Sequence, residues 1–581
     1  MLWTKFRLTV WLSQDEAANQ HRIGTGLISV AGNTTTTWKE QDIGTENGPK
    51  GHNPGSCCAD PVDFAELETS LKSVFRPLLI PASVKQFSPT NTNILPEGSS
   101  YVPALHPQTL GDAGFRDDHG LTYAYVAGAM ANGIASVELV EAMSRAGMLG
   151  FFGSAGLPLA EVERAVDRLR DTLGPGPFGF NLIHSPNEPN LEAAVVDLYI
   201  RKNITLVEAS AYLDLTLPVV RYRVHGIRRA NDGQIVTPNR IVAKVSRVEV
   251  AGKFLAPPPQ ALLQQLVERG DISAEQAHLA RQIPMAQDIT AEADSAGHTD
   301  NRPALALVPT MMALRNRLQK EHNYAIPLRV GAAGGISTPE SAAAAFSLGA
   351  AYIVTGSVNQ ACSEAGTSEI VRDMLATAEQ ADIMMAPAAD MFEMGVKLQV
   401  LKRGTMFGMR AAKLWEMYRT YKSLDDIPAN ERTQLEKTLF RQPLESVWEQ
   451  TQDFFRQRDP AQLSRADRDP QHKMALVFRW YLGLSSHWAN AGNPDRRLDY
   501  QVWCGPAMGA FNEWVRGSFL EQPNNRNVTS VAMNILYGAA VVLRTQMLRL
   551  QGVTVPPHIP DLSPLPLSEL QKRLNSSRPN E

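Results

Sequence analysis

The stretch Arg329-Val-Gly-Ala-Ala-Gly-Gly-Ile-Ser-Thr-Pro-Glu340 decides the reading of the fold. An apolar run enters Gly334-Gly335, and Ser337 or Thr338 then stands where it can cap a helix with Pro339 in its first turn. Glycines let backbone N–H groups close on an anion with no Cβ in the way, and a helix N-terminus favours negative charge. The next apolar run, Ala351-Tyr-Ile-Val-Thr-Gly-Ser357, ends in a second small-residue turn. Two consecutive strand-to-glycine turns match the phosphate site behind the last two strands of a TIM barrel. Tight turns alone would also use glycine here, so the rest of the chain has to support the barrel.

It does so by repetition. Apolar runs predict strands at Tyr123–Ala129, Leu149–Gly153, Phe178–Ile183, Thr205–Ala209, Ile241–Val245, Met285–Ala293, Leu328–Ala332 and Ala351–Thr355. Helical patterns fall between them at Ser136–Ala146, Leu159–Leu173, Leu191–Lys202, Gln260–Glu268, Leu305–Lys320 and Pro339–Leu348. Ser136 is an N-cap candidate and Gly147 a stop. Alternation of this kind over about 240 residues predicts parallel strands with helices outside, in an α/β (β/α)8 TIM barrel. An open doubly wound sheet is the structural rival, and the paired glycine turns favour the barrel.

Around that barrel the chain divides into an N-terminal extension (1–110), the barrel (111–394), a C-terminal helical domain (395–560) and a flexible tail (561–581). Leu414, Trp415, Tyr418 and Tyr421, and then Leu444, Val447, Trp448 and Phe455, recur at helical spacing. Such stripes mark helices that bury one face. Val531–Leu543 is the most apolar late segment; it is shorter than the roughly 20 residues a bilayer requires, and it reads as a buried helix.

With 581 residues, 44% hydrophobic and 20% charged, the chain has the balance of a globular protein. A net charge of −4 gives no global basic field for nucleic acid. Cys57, Cys58, Cys362 and Cys504 form no C-x-x-C spacing for zinc or redox work, which suits a cytoplasmic location. The first residues, MLWTKFRLTVWLSQDE, lack the continuous apolar core and cleavage site of a signal peptide.

Gly174-Pro-Gly-Pro-Phe-Gly179 has the letters of a dinucleotide fingerprint, but it precedes a strand and contains two prolines, so it reads as a helix-stop loop. His298, in Asp294-Ser-Ala-Gly-His-Thr-Asp300, follows a predicted strand at the end of a barrel where catalytic loops sit. An imidazole there can donate a proton or polarise a carbonyl; most histidines do neither. Arg221, Arg223, Arg228 and Arg229 form a basic cluster. It is either a docking face for an acidic partner or a nucleotide phosphate, or, the reading favoured here, a solvated face.

Several ordered motifs carry a resemblance. Tyr123-Ala-Tyr-Val-Ala-Gly-Ala-Met-Ala-Asn-Gly133, Glu138 through Gly153, Pro177-Phe-Gly-Phe-Asn-Leu182, Ala296-Gly-His298, Ala332-Ala-Gly-Gly-Ile336 and Gly349-Ala-Ala-Tyr-Ile-Val-Thr-Gly356 resemble the nitronate monooxygenase and flavin enoyl-reductase superfamily. More narrowly, Asn181-Leu-Ile-His-Ser-Pro-Asn-Glu-Pro189, Glu208-Ala-Ser-Ala-Tyr212, Met285 through His298 and Trp503-Cys-Gly-Pro-Ala-Met-Gly509 are similar to the PfaD family. Its members are trans-acting enoyl reductases of polyunsaturated fatty acid synthases and trans-acyltransferase polyketide synthases.

The resemblance implies FMN, with NADPH as hydride donor and acyl carrier protein domains as partners. Ala129 and Met130 would lie against the flavin, Asn181 would hydrogen-bond its ring or ribityl chain, and Gly334, Gly335, Gly356 and Ser357 would hold its phosphate. His298 matches the active-site histidine, although Ala296 stands where relatives have glycine. Lys244 would offer positive charge to reduced flavin or form a structural ion pair. A homodimer stays open. The rival functions are nitronate monooxygenase chemistry and a non-catalytic flavin-bearing scaffold.

Overall fold

A computed structural model describes residues 64–80, 99–186, 188–297 and 299–575. His298, Cys57, Cys58 and most of the 1–110 extension lie outside the described residues. Eight parallel strands close a barrel in chain order: β1 Tyr125–Ala127, β2 Leu149–Phe152, β3 Phe178–Ile183, β4 Leu206–Ser210, β5 Arg240–Val245, β6 Asp288–Glu292, β7 Arg329–Ala333 and β8 Ile353–Thr355. β8 pairs with β1 through Ile353–Tyr125 and Thr355–Ala127, so no sheet edge remains. The open-sheet rival is thereby excluded. Each strand is nearly all buried, because helices cover one face and the packed lumen the other.

The outer helices include α1 Val137–Arg145, α2 Leu159–Leu173, α3 Pro189–Arg201, α4 Leu217–Val224, α5 Val248–Leu255, α6 Ala304–His322 and α7 Pro339–Ser347. The expected caps are present: Ser136 Oγ accepts from the Leu139 amide at 3.0 Å, and Thr338 Oγ1 accepts from Ser341. Each satisfies one of the orphan donors of a first turn.

At the N-terminal end of the barrel, Asp288 opens β6 and Arg329 opens β7. Arg329 Nε donates to Asp288 Oδ1 at 2.6 Å, and His119 Nε2 lies 2.9 Å from Oδ2. His119 ends a helix, Ala113–His119, whose Phe115 stacks on Tyr352 with centroids 4.1 Å apart. These groups plug the lower end, so the opposite end is the one left for chemistry.

The basic cluster sorts by position. Arg223 is 2% exposed and donates to Pro284 O at 3.1 Å and to Asn239 O, carbonyls just ahead of β6 and β5. Burial draws its guanidinium down to about 10. Arg221 pairs with Asp197 and Asp271. Only Arg228 and Arg229 are exposed, on a short hairpin with Ile235–Val236. The four arginines do not form one surface, because Arg223 is consumed in tying the barrel base.

After the barrel, β9 Ile383–Pro387 pairs antiparallel with β10 Lys397–Leu401. Helices α8 Phe407–Thr420, α9 Leu444–Arg458 and α10 Pro470–Ala491 follow. The hairpin and these helices share a hydrophobic cluster of their own, in which Leu414, Val447 and Phe478 are fully buried and Trp415, Tyr418 and Trp448 pack against it. Asp499 is its polar centre, fully buried, accepting from Tyr481 at 2.8 Å and paired with Arg410, Arg441 and Arg496.

The last long helices, α11 Ala507–Val515 and α12 Val528–Leu550, instead join the core of the barrel. α12 is 23 residues long, longer than the sequence suggested and long and apolar enough to cross a bilayer, yet 83% of its most apolar stretch is buried in the protein. It lies along α7: a Cβ added at Gly538 would meet Pro339 Cγ at 2.5 Å. Arg544, on the same helix, is fully buried and donates to Leu71 O, Pro103 O and Ser70 O, closing the C-terminal end of a helix at Phe64–Lys72.

Candidate functional site

The C-terminal ends of the strands open into a cavity of about 520 Å³. Ala129, Met130, Asn181, Gly334, Gly335, Gly356 and Ser357 all line it, although they come from the ends of β1, β3, β7 and β8. Gly297, the residue before His298, lines it too.

The glycine corner has the form of an anion cradle. Gly335 takes φ +75°, a conformation that favours glycine, and Gly356 precedes the single helical turn Ser357–Gln360. No atom lies within 4 Å of where a Cβ would stand on either glycine. Neither amide donates to a backbone carbonyl of the described residues. Beyond Gly335, Ile336 still lines the cavity, and Thr338 and Ser341 then cap the start of α7. Free amides around a space that side chains would fill are what a phosphate requires.

Asn181 is locked in place. Its Nδ2 donates to the backbone Glu208 O at 3.1 Å and to Ser210 Oγ at 2.9 Å, while the backbone carbonyl of Asn181 accepts from Ser154 Oγ and Tyr199 OH. A backbone carbonyl can only accept, so the amide orientation is fixed and both of its hydrogens are engaged. What Asn181 offers the cavity is an acceptor.

The floor is charged. Lys244 on β5 lies 3.7 Å from Glu208 on β4 and 3.6 Å from Glu292 on β6. Burial works against the ammonium, but the two carboxylates outweigh it and hold Lys244 above its ordinary value. Burial pushes the Glu208 carboxyl up, against the pull of Lys244. The Ala129 amide donates to Glu208 Oε2 at 3.0 Å, linking this group to β1. Lys244 thus forms the structural ion pair and also lines the cavity.

The roof was not foreseen in the sequence. Gln399 on β10 donates to Asp294 Oδ1 at 2.6 Å, Asn132 donates to Ser486 Oγ on α10 at 2.8 Å, and Arg458 at the end of α9 pairs with Glu188. Each ties the β9–α10 segment to a different barrel loop. Gly505, in the Trp503–Gly509 motif, donates its amide to Ser357 Oγ at 3.2 Å, which sets that motif against the cradle. The only hint available beforehand was the helical aromatic stripe, which specifies a packed helix but not what it covers.

Among known proteins, residues 117–432 match the nitronate monooxygenase family. Residues 421–500 match the inserted helical domain described for [acyl-carrier-protein] S-malonyltransferase. A polyunsaturated fatty acid synthase polypeptide of Thraustochytrium sp. is 47% identical over 504 residues, 84% of this chain and 33% of that protein. Polyketide biosynthesis protein PksE of Bacillus subtilis is 45% identical over 468 residues, 80% of this chain and 60% of that one. The chain therefore spans only part of the length of these curated relatives. The crystal structure of the enoyl reductase domain of MlnA, from the macrolactin biosynthesis cluster of Bacillus amyloliquefaciens, superposes with a TM-score of 0.73 at 40% identity, covering 77% of this chain and 100% of that one. On the closed barrel, the glycine corner and these matches together, the chain belongs to the nitronate monooxygenase family and, within it, to the PfaD-like branch.

Proposed function

We propose that the protein is an FMN-dependent enoyl reductase that acts in trans on enoyl thioesters carried by acyl carrier protein domains, with NADPH as reductant, in polyunsaturated fatty acid or polyketide biosynthesis. The observation that carries this reading is the meeting of seven expected flavin-site residues in one cavity beneath a helical roof. The relatives' names supply the chemistry: an enoyl reductase domain, and proteins of polyunsaturated fatty acid and polyketide synthesis.

Bound FMN supplies the hydride carrier between nicotinamide and the β-carbon of the enoyl group. The chain does the rest. The amides of Gly335 and Gly356 would hold the FMN phosphate, with Ser357 beside them. Asn181 accepts from a ring N–H. Lys244, paired with Glu208 and Glu292, would offer positive charge to the reduced flavin. His298, or a water it holds, gives the α-carbon its proton or supports the thioester oxygen as negative charge develops there. The roof, tied at Asn132, Glu188 and Asp294, excludes water from these steps.

Nitronate oxidation shares the barrel and the cofactor and is the reading that the family match favours next. One experiment separates the two. The purified protein is reconstituted with FMN and given NADPH and crotonyl-pantetheine without oxygen, and, in parallel, a nitronate with oxygen. Loss of the enoyl absorbance in the first mixture supports the reductase. Oxygen uptake only in the second replaces it with the monooxygenase. A folded protein that takes up no FMN removes both.

A further inference from the structure

The cavity extends past the glycine corner. Its far side is built by the roof: Phe454 on α9, with Leu476, Trp480, Gly483 and Leu484 on α10. This lobe is apolar where the floor beneath Lys244 is charged. At its edge Phe454 is 52% exposed, with the Arg458 guanidinium 5.4 Å above its ring. Arg458 and Glu188 also line the cavity, so an ion pair borders the apolar lobe.

Gly483 is the unusual residue of the lobe. It lies in the interior of α10, a helix of 22 residues, where glycine is the least favourable choice other than proline. Its φ is not positive, so no backbone conformation requires it. No atom lies within 4 Å of where its Cβ would stand, so no close packing requires it. What the missing side chain leaves is empty space on the cavity side of the roof.

We infer that the lobe beneath Phe454, Leu476 and Trp480 receives the acyl chain beyond the reacting double bond, and that the absence of a side chain at Gly483 sets the length of chain accepted. This rests on the reductase reading above. The stretch of α10 from Trp480 to Leu484 carries no charge; Arg479 and His487 on either side of it also line the cavity, Arg479 being paired with Glu393, and the apolar stretch between them suits a hydrocarbon rather than a second polar head. Each methylene buried there adds to binding in proportion to its apolar area, so a longer chain gains more than a short one.

The test uses the FMN-loaded full chain and two substrates, crotonyl-pantetheine and 2-decenoyl-pantetheine. Gly483→Phe fills the lobe, and the ratio of kcat/KM for decenoyl over crotonyl is expected to fall about ten-fold or more. Calorimetry with the saturated products, butyryl- and decanoyl-pantetheine, reads the same lobe without turnover: the wild type is expected to prefer decanoyl, and the variant to lose that preference. If the wild type reduces both substrates and the variant leaves the ratio unchanged, the lobe assignment is overturned and the reductase reading survives. If the wild type reduces neither yet binds decanoyl more tightly, and Gly483→Phe abolishes that, the lobe stands and the reductase reading falls. Equal affinity of the wild type for both products overturns the lobe outright. Gly483→Leu replaces the Phe variant if the latter does not melt cooperatively.

Discussion

Arg458 grips Glu188 with two parallel hydrogen bonds, Nε to Oε1 at 2.8 Å and Nη2 to Oε2 at 2.9 Å, between residues 270 positions apart. Glu188 directly precedes α3, on a barrel loop, and Arg458 ends α9. The fork matches the carboxylate geometry of arginine, which lysine cannot reproduce. Both groups are partly buried, so the pair is screened less than a surface bridge.

Arg458→Lys and Arg458→Met are therefore expected to loosen the roof without unfolding the barrel. A double-mutant cycle with Glu188→Gln should give a coupling of about 1–2 kcal/mol. Hydrogen exchange reports where: amides of α9 and α10 should exchange faster, and those of β1 to β8 should not. Uniform acceleration across the barrel would show that the pair is not a local strap.

Gly356→Leu tests the cradle. The φ of Gly356 is −131°, outside the left-handed region, and no atom lies within 4 Å of where its Cβ would stand. The variant should fold with a Tm close to that of the wild type, and its absorbance spectrum should show no bound flavin. Gly335→Val should lose flavin too, and should also lose about 1–2 kcal/mol of stability, because valine is strained at φ +75°. Full flavin occupancy in Gly356→Leu would put the phosphate elsewhere.

At the opposite end of the barrel the expectation concerns pH. Burial pushes the Asp288 carboxyl up, but the hydrogen bond to His119 and the pairing with Arg329 outweigh it and leave it below its ordinary value of 3.8. A carboxyl held lower in the folded protein contributes stability that is complete above the unfolded value and disappears as pH falls through the folded one. Asp288→Asn should thus be less stable than the wild type at pH 7, by about 3–5 kcal/mol, since Arg329 is left buried with an incomplete set of partners. The gap should begin to narrow below about pH 4 and close as pH falls through the lower, folded value. A gap that persists unchanged into acid would exclude the carboxylate as its source.

Arg544→Met removes a buried guanidinium that three carbonyls share, and burial already draws that group down to about 10. The loss of hydrogen bonds to a charged donor should cost about 2–4 kcal/mol. Chemical denaturation measures it, and flavin affinity should stay within about two-fold, since none of these carbonyls lines the cavity.

The barrel was legible in the sequence because strands buried on both faces leave short apolar runs. Phe178–Ile183 and Leu159–Leu173 fall where the pattern puts them, and the other strands shift by a few residues at most at their ends. Helices α4 and α5 gave too short an apolar period to be seen. The hairpin β9–β10 was missed because the connection between its halves, Ala388–Val396, is itself largely apolar and offers no polar turn signal, and one face is partly exposed. The position of Lys244 on a strand could be read, but not its two carboxylates on neighbouring strands. Gln399 with Asp294 and Arg458 with Glu188 are contacts across more than a hundred residues, which no local periodicity records.

The contact of Gly538 with Pro339 bears on how the protein can be trimmed or fused. The helix that follows the Gly334–Gly335 turn is braced by a segment nearly two hundred positions later in the chain. A truncation made after the last barrel strand, or after the roof, would keep both glycine turns and still remove the buttress that holds them to ångström tolerance. A tag or junction is best placed beyond Asn575, because Leu570, past α12, is fully buried in the same core.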